Sequence, residues 1–262
     1  MYFEVDGERV FAAGNIPAGH SGPVLLLVHG AAMDHSVWVY HTRYFTHTGH
    51  AVLAVDLPAH GRSEGAPLDS IEAQAAWLER CLDVLSISLA AVAGHSMGAL
   101  AALELAACTG ARVQRLALLG AAVPMAVSPQ LLEEAAADSE LARDMMMLWG
   151  HGSRAHLGGN SVAGINIIKS AMRLLEAAPA GLLFADLNAC NSYQHGPESA
   201  TRITAATRLI CGTQDKMTPL RAARDLAASI PTCAIDVIAD CGHILMSEQP
   251  EQTHRHLVAA LL

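Results

Sequence analysis

Apolar positions along this chain fall into two textures. Continuous apolar runs occupy residues 24–28, 51–55, 89–93, 115–120 and 208–212, with a weaker one at 234–239. Runs of this length, bounded by glycine or polar residues, predict strands buried on both faces, as in the middle of a parallel sheet. Amphipathic or Ala/Leu-rich stretches lie between most of them, which is the alternation a βαβ arrangement needs. The first residues differ: positions 2–12 alternate apolar and polar around Asp6-Gly7, which predicts an antiparallel hairpin at the sheet edge. From about Pro124 to Pro197 the pattern is helical throughout, with stretches near 129–137, 140–149, 165–177 and 180–189 and no convincing strand. The expected architecture is α/β, a mostly parallel sheet of the eight-stranded type with helices on both faces. Residues 1–123 and 198–262 form its core, and residues 124–197 form a helical cap inserted in that core.

Candidate chemistry sits at the C-terminal ends of these runs. The segment Gly94-His95-Ser96-Met97-Gly98 follows the 89–93 run and opens a helical stretch reaching about Cys108. A strand turning this sharply into a helix holds a serine in a strained conformation with Oγ exposed, and the helix N-terminus favours a developing oxyanion. A free serine hydroxyl is a weak nucleophile, so Ser96 needs a base. His243 follows a strand and the small turn Cys241-Gly242, where a loop can project an imidazole over the sheet edge. Asp215 lies just past the end of the apolar run 209–211, where it can accept the Nδ1 proton of that imidazole and stabilise the imidazolium. Asp215 also fits a plainer role, as the start of a turn before Pro219.

Four motifs in order, His29-Gly30-Ala31-Ala32, Gly94 to Gly98, Gly212-Thr213-Gln214-Asp215 and Gly242-His243, resemble the α/β-hydrolase fold family over essentially the whole chain. Ser96, Asp215 and His243 obey that family's nucleophile, acid, histidine order. The resemblance implies an oxyanion hole from the backbone N–H of Met97 and of Ala31, with Ala32 the close competitor on the same loop. It implies structural work for His29, which ties the loop down by a hydrogen bond. Asp34 is expected to cap the segment from Ser36 to Tyr44, although Asp34 and His35 could also face the site. Ala59 and Ala99 stand where many relatives have glycine, without touching the triad. A cap of this kind would supply the substrate pocket. Ala32, His95, Met146 and Trp149 are the candidate substrate-contacting residues, and Met145 and Met147 are equally suited to lining a pocket or to packing.

Composition limits the partners. With 52% hydrophobic and 16% charged residues the chain reads as a compact globular domain. A formal net charge of −9, with no basic stripe, argues against nucleic acid. No apolar run is long enough to span a bilayer, and Glu4, Asp6 and Glu8 precede any apolar stretch, unlike a signal peptide, so a cytoplasmic, non-membrane protein is expected. The six cysteines lack C-x-x-C spacing and read as small buried hydrophobes, with Cys241, two residues from His243, the one to watch for thiol reactivity. The segment from Gly150 to Ser161, rich in glycine and serine, is expected to be a mobile loop or gate. His151 and His156 lack carboxylate or cysteine at matching spacing, so no metal is expected, and the chemistry needs no cofactor.

The reading that follows is a serine hydrolase, cleaving small to medium carboxylic esters through an acyl-enzyme. A serine at position 96 disfavours the haloalkane dehalogenase and epoxide hydrolase branches, which require a carboxylate there. Carbon–carbon hydrolases of ring-fission products stay open, although they usually carry asparagine before the nucleophile and tryptophan after the histidine, where this chain has His95 and Ile244. Arg173 would then be a candidate for binding a substrate carboxylate. Enol-lactonase and cofactor-free perhydrolase activity also stay open, as does a ligand-binding receptor without turnover. The expected partner is a small-molecule ester or related acyl substrate, and assembly into a homo-oligomer is left undecided.

Overall fold

The computed structural model describes residues 1–160 and 162–262. Its strands are β1 (Tyr2–Val5), β2 (Glu8–Asn15), β3 (Val24–Val28), β4 (Val52–Val55), β5 (Ala90–His95), β6 (Val113–Leu119), β7 (Ala206–Gly212) and β8 (Cys233–Ile238). They form one eight-stranded sheet in the order β1-β2-β4-β3-β5-β6-β7-β8. The β1/β2 hairpin is antiparallel and turns at Asp6-Gly7, and β2 pairs antiparallel with β4. Every pairing from β4 through β8 is parallel. Each expected strand is present. The weak signal at β8 has a physical reason: it is the edge strand, and only one of its six residues is buried.

Among the described residues twelve α-helices surround the sheet: α1 (Val39–His47), α2 (Ile71–Val84), α3 (Met97–Thr109), α4 (Pro129–Ala136), α5 (Glu140–Gly150), α6 (Ser153–His156), α7 (Ile167–Ala177), α8 (Leu182–Ser192), α9 (Gly196–Arg202), α10 (Leu220–Ser229), α11 (Leu245–Glu248) and α12 (Pro250–Leu261). The sheet divides the core into two. Leu26 and Val28 of β3 face the layer of α2, α3 and α10, while Leu25 and Leu27 face Trp38, Phe45 and Leu257 on the other side. Strands buried on both faces have no polar alternation, which is why β3 reads as five consecutive apolar residues. No helix among the described residues is long and apolar enough to cross a membrane.

The helices α4 to α9 lie between β6 and β7, where the helical insertion is expected. Their starts carry local signals: Ser139 accepts from the N–H of Ala142, and Asn166 from that of Lys169. Two short helices escape the periodicity, α6 and α9. Helix α9 spans the expected boundary at 197/198 and packs on α3 and α10. Glu104 on α3 fixes this junction, accepting hydrogen bonds from Tyr193 (2.5 Å) and Ser199 (2.6 Å).

Candidate active site

Ser96 sits where β5 turns into α3, with φ 54° and ψ −118°, a region that a residue bearing a Cβ rarely occupies. The turn is held from both sides. The Ser96 N–H donates to the carbonyl of Leu119 on β6, and its own carbonyl accepts from the N–H groups of Ala99 and Leu100. The chain crosses itself so closely here that a Cβ on Gly94 would lie 2.1 Å from the Gly98 carbonyl oxygen, and one on Gly98 would lie 2.3 Å from that of His29. Both glycines of the motif are therefore steric requirements of the turn. In the loop after β4, Ala59 takes φ 66°, which explains why glycine is the usual residue there.

Asp215 and His243 come together at the ends of β7 and β8. The His243 Nδ1 donates to Asp215 Oδ2 at 2.8 Å, and both side chains are buried. Asp215 also accepts the N–H groups of Met217 (2.9 Å) and Thr218 (2.8 Å) on Oδ1 and the Thr218 hydroxyl (2.7 Å) on Oδ2. Its turn-forming role and its pairing with the histidine thus coexist in one carboxylate. Burial raises this carboxyl group, but the charge of His243 and the hydrogen bonds from His243 and Thr218 outweigh that and hold it below the ordinary aspartate value. The imidazole is left with a buried Nε2 that has no hydrogen-bond partner among the described residues.

That imidazole and Ser96 line the same cavity, of about 650 Å³, together with residues of the helices between β6 and β7. Ala31, His95, Met146, Met147 and Trp149 line it too, as do Met33, Tyr40, Met125 and Ile167. Among the described residues the lining holds two cationic side chains, Arg173 and Lys216, and no carboxylate. Met145 is buried in the core outside the lining. The Met97 side chain is buried against Gln74, whose Nε2 donates to its sulfur (3.3 Å), while its backbone N–H is the first of α3 and so has no intrahelical acceptor.

Ala32 requires a correction. It does not line the cavity, is 2% exposed, and its N–H donates to Asp186 Oδ2 at 2.7 Å. A donor committed to a buried carboxylate can serve neither an oxyanion nor a substrate, so Ala31 is left without its competitor. His95 lines the cavity, yet its Nε2 donates to the carbonyl of His243 at 2.9 Å, so that edge of the ring is occupied by the protein. Burial, and then the neighbouring His243, lower its pKa to about 3, which keeps it neutral.

Neighbouring expectations divide in the same way. His29 is structural: Nδ1 donates to the Gly30 carbonyl (2.9 Å) and Nε2 accepts from Leu57 N–H (3.1 Å), with burial lowering its pKa to about 3. Asp34 caps the turn beginning at His35 by accepting from Ser36 N–H, and His35 faces Asp56 instead of the cavity. Asp34, His35 and Asp56 bring three potential metal-ligand atoms within 4.8 Å of one another, but Asp56 is already bonded by His35 and by the Arg62 N–H. Cys241 is fully buried, and burial followed by the nearby Glu248 carboxylate pushes its thiol well above the ordinary value, which favours packing over thiol reactivity for this residue.

The segment starting at Gly150 is tied down at its start, contrary to the gate expected from its composition. The Gly150 carbonyl accepts from the N–H groups of His243 (3.0 Å) and Ile244 (3.2 Å). The N–H of Gly152 donates to Glu248 (2.9 Å) and that of Ser153 to Gln214 (2.7 Å). His151 is buried, with Nδ1 donating to the Met147 carbonyl, and burial lowers its pKa to about 4. Ser161, the last residue of the expected gate, lies outside the described residues. Asp186, His60 and Glu248 carry no local signal because they meet partners far away in sequence, whereas Thr218 lies only three residues from its partner Asp215 and is legible as part of the turn that Asp215 starts.

Comparison with known proteins places this geometry among relatives. Residues 25–255 match the model of the Alpha/beta hydrolase family. The chain is 28% identical to a pimeloyl-[acyl-carrier protein] methyl ester esterase of Nitrosomonas europaea, over 92% of this chain and 96% of that one. It is 27% identical to a 2-hydroxymuconate semialdehyde hydrolase of Pseudomonas putida, over 95% and 92%. Three other curated relatives are matched over only 37%, 31% and 28% of their length. Among solved structures, the enol-lactonase from Burkholderia xenovorans LB400 superposes with a TM-score of 0.86 at 22% identity, covering 99% of this chain and 98% of that one, a likeness of fold.

Proposed function

This chain belongs to the alpha/beta hydrolase family; from that premise we propose that it is an enzyme, a serine hydrolase of small to medium carboxylic esters working through an acyl-enzyme. The observation that carries the reading is the disposition of His243. One ring nitrogen is committed to buried Asp215 at 2.8 Å, and the other is unpartnered in the cavity that Ser96 lines. That is the arrangement a general base needs beside a hydroxyl nucleophile.

In this reading Ser96 Oγ attacks the ester carbonyl carbon while His243 Nε2 takes its proton. The carbonyl oxygen becomes an oxyanion held by the backbone N–H groups of Met97 and Ala31. The tetrahedral intermediate collapses, the C–O bond to the alcohol breaks, and His243 returns the proton to the departing oxygen. A water deprotonated by His243 then attacks the acyl-enzyme and releases the acid, regenerating Ser96. The helices α4, α5 and α7 act as the cap that shapes the acyl pocket, with Met146, Met147 and Trp149 as its apolar wall. Asp215 holds the imidazole in the tautomer that leaves Nε2 free to accept.

The full-length likeness to an ester hydrolase supports the ester reading, and the likeness to 2-hydroxymuconate semialdehyde hydrolase keeps a carbon–carbon hydrolase as the runner-up. The experiment is hydrolysis of p-nitrophenyl esters from acetate to decanoate by wild type and Ser96→Ala. Serine-dependent turnover with an optimum at short to medium chains is expected, with kcat falling by roughly 10⁶ in the variant. A folded wild type inert on every ester would overturn the ester reading.

A further inference from the structure

We propose that Asp186, on the inserted helix α8, is a positioning residue for the oxyanion loop, acting together with His60; the proposal rests on the serine-hydrolase reading. The first observation is geometric. Asp186 is 1% exposed, and its Oδ2 accepts both the Ala32 N–H (2.7 Å) and His60 Nε2 (2.8 Å). Ala32 immediately follows Ala31, the proposed donor to the oxyanion, and takes φ 50°, a conformation costly for a residue with a Cβ. The turn it belongs to is closed by Met33 N–H on the Gly30 carbonyl (3.2 Å). A charge-assisted hydrogen bond at Ala32 is what fixes the strained residue and, through the shared backbone, the direction of the Ala31 N–H.

The second observation concerns charge. A carboxylate beside an oxyanion hole would oppose the negative charge that develops there, unless it is neutralised. His60 supplies the neutralisation. Its Nδ1 faces the Pro58 carbonyl (2.9 Å), which can only accept, so Nδ1 carries a proton, and Nε2 faces a carboxylate. One proton is therefore held between His60 and Asp186, and the pair is neutral as a whole. Burial alone would lower the His60 imidazole, but the hydrogen bond and charge of Asp186 outweigh it and hold it above its ordinary value. The ring of His29 packs against His60 at 4.7 Å between centroids and stays neutral, because its Nε2 accepts a backbone N–H. Asp186 thus gives the loop a strong acceptor without leaving a net negative charge near the reaction.

The arrangement joins three separate parts of the chain: the loop after β3, the loop after β4 that carries His60, and the inserted segment that carries Asp186. An inserted helix therefore holds part of the catalytic frame as well as the pocket wall.

The test is Asp186→Asn and His60→Gln, assayed on the best p-nitrophenyl ester for kcat and KM, with active sites counted by a fluorophosphonate that labels Ser96. A misdirected oxyanion donor lowers kcat by roughly ten- to a hundred-fold, with KM within about threefold and an undiminished count of labelled sites. A merely structural role would instead reduce the count of labelled sites and leave kcat per site intact. His60→Gln keeps a donor toward Asp186 but removes the positive charge, so it should lose kcat in the same way even if Asp186→Asn fails to fold. Wild type that labels, together with folded variants whose kcat per site is unchanged, overturns the role of Asp186 and leaves the serine reading standing. Wild type that neither labels nor turns over overturns both.

Discussion

His95 Nε2 donates a hydrogen bond to the backbone carbonyl of His243 at 2.9 Å, so the residue before the proposed nucleophile holds the backbone of the proposed base. The two rings stand 4.8 Å apart, His95 at the end of β5 and His243 in the loop after β8. Substrate contact is the role expected of His95, which does line the cavity, and this bond gives it a second one, holding the end of β5 and the loop after β8 in register.

Replacing His95 by alanine strands a buried carbonyl and opens a void beside Ser96. The loss of stability should be about 1–3 kcal/mol, read from urea unfolding, with kcat down by roughly tenfold. Because His95 is neutral well into the acidic range, the variant should keep the same number of ionisations in its kcat/KM against pH profile as wild type. A lost ionisation would mean that His95 titrates during the reaction.

Thr218→Val removes a hydroxyl that donates to Asp215 at 2.7 Å while nearly preserving volume. The Asp215 carboxyl is depressed in the folded protein, so its contribution to stability is complete above the unfolded aspartate value and is lost as pH falls through the folded value. With one hydrogen bond gone, the folded value rises and the acid unfolding midpoint should move to higher pH. Circular dichroism followed on acid titration reads this directly. An unmoved midpoint would mean that the two N–H donors of Met217 and Thr218 suffice.

Lys216 and Arg173 line a cavity that has no carboxylate in its wall among the described residues, in a chain with 25 acidic and 16 basic residues. Arg173 is already paired with Glu176 and largely exposed, so Lys216 is the stronger candidate. A p-nitrophenyl ester whose acyl chain ends in a carboxylate should show a KM a few-fold lower than the neutral ester of equal length at low salt, the gap shrinking at high salt. Lys216→Ala should abolish the gap. Equal KM values at low ionic strength would restore the uncharged-ester expectation.

Much of the fold was legible because it is written in local patterns. The five central strands, β3 to β7, are buried on both faces and announce themselves as apolar runs, and the elbow at Ser96 has its glycines one residue from a steric limit. The order of Ser96, Asp215 and His243 was readable for the same reason, since each ends or follows a strand. What escaped was long-range. His60 and Asp186 are 126 positions apart, and nothing in either neighbourhood records the other. Composition misled at residues 150–153, where glycine signalled freedom. A Cβ on Gly152 would lie 2.8 Å from Gln214 Oε1 and one on Gly242 2.5 Å from Gly152 N, so these glycines are small because the chains touch.

The carbonyl of Gly150 carries the N–H groups of both His243 and Ile244, and Glu248 bridges Gly152 to Gly242. Swapping the inserted segment between homologues to alter selectivity would therefore cut into the scaffold of the proposed base. A chimaera that exchanges residues 124–149 and 154–181 but retains the native stretch 150–153 and helix α8 with Asp186 keeps these tethers, whereas a graft joined at the ends of β6 and β7 discards them. The useful splice points for re-engineering this protein are on either side of that short stretch.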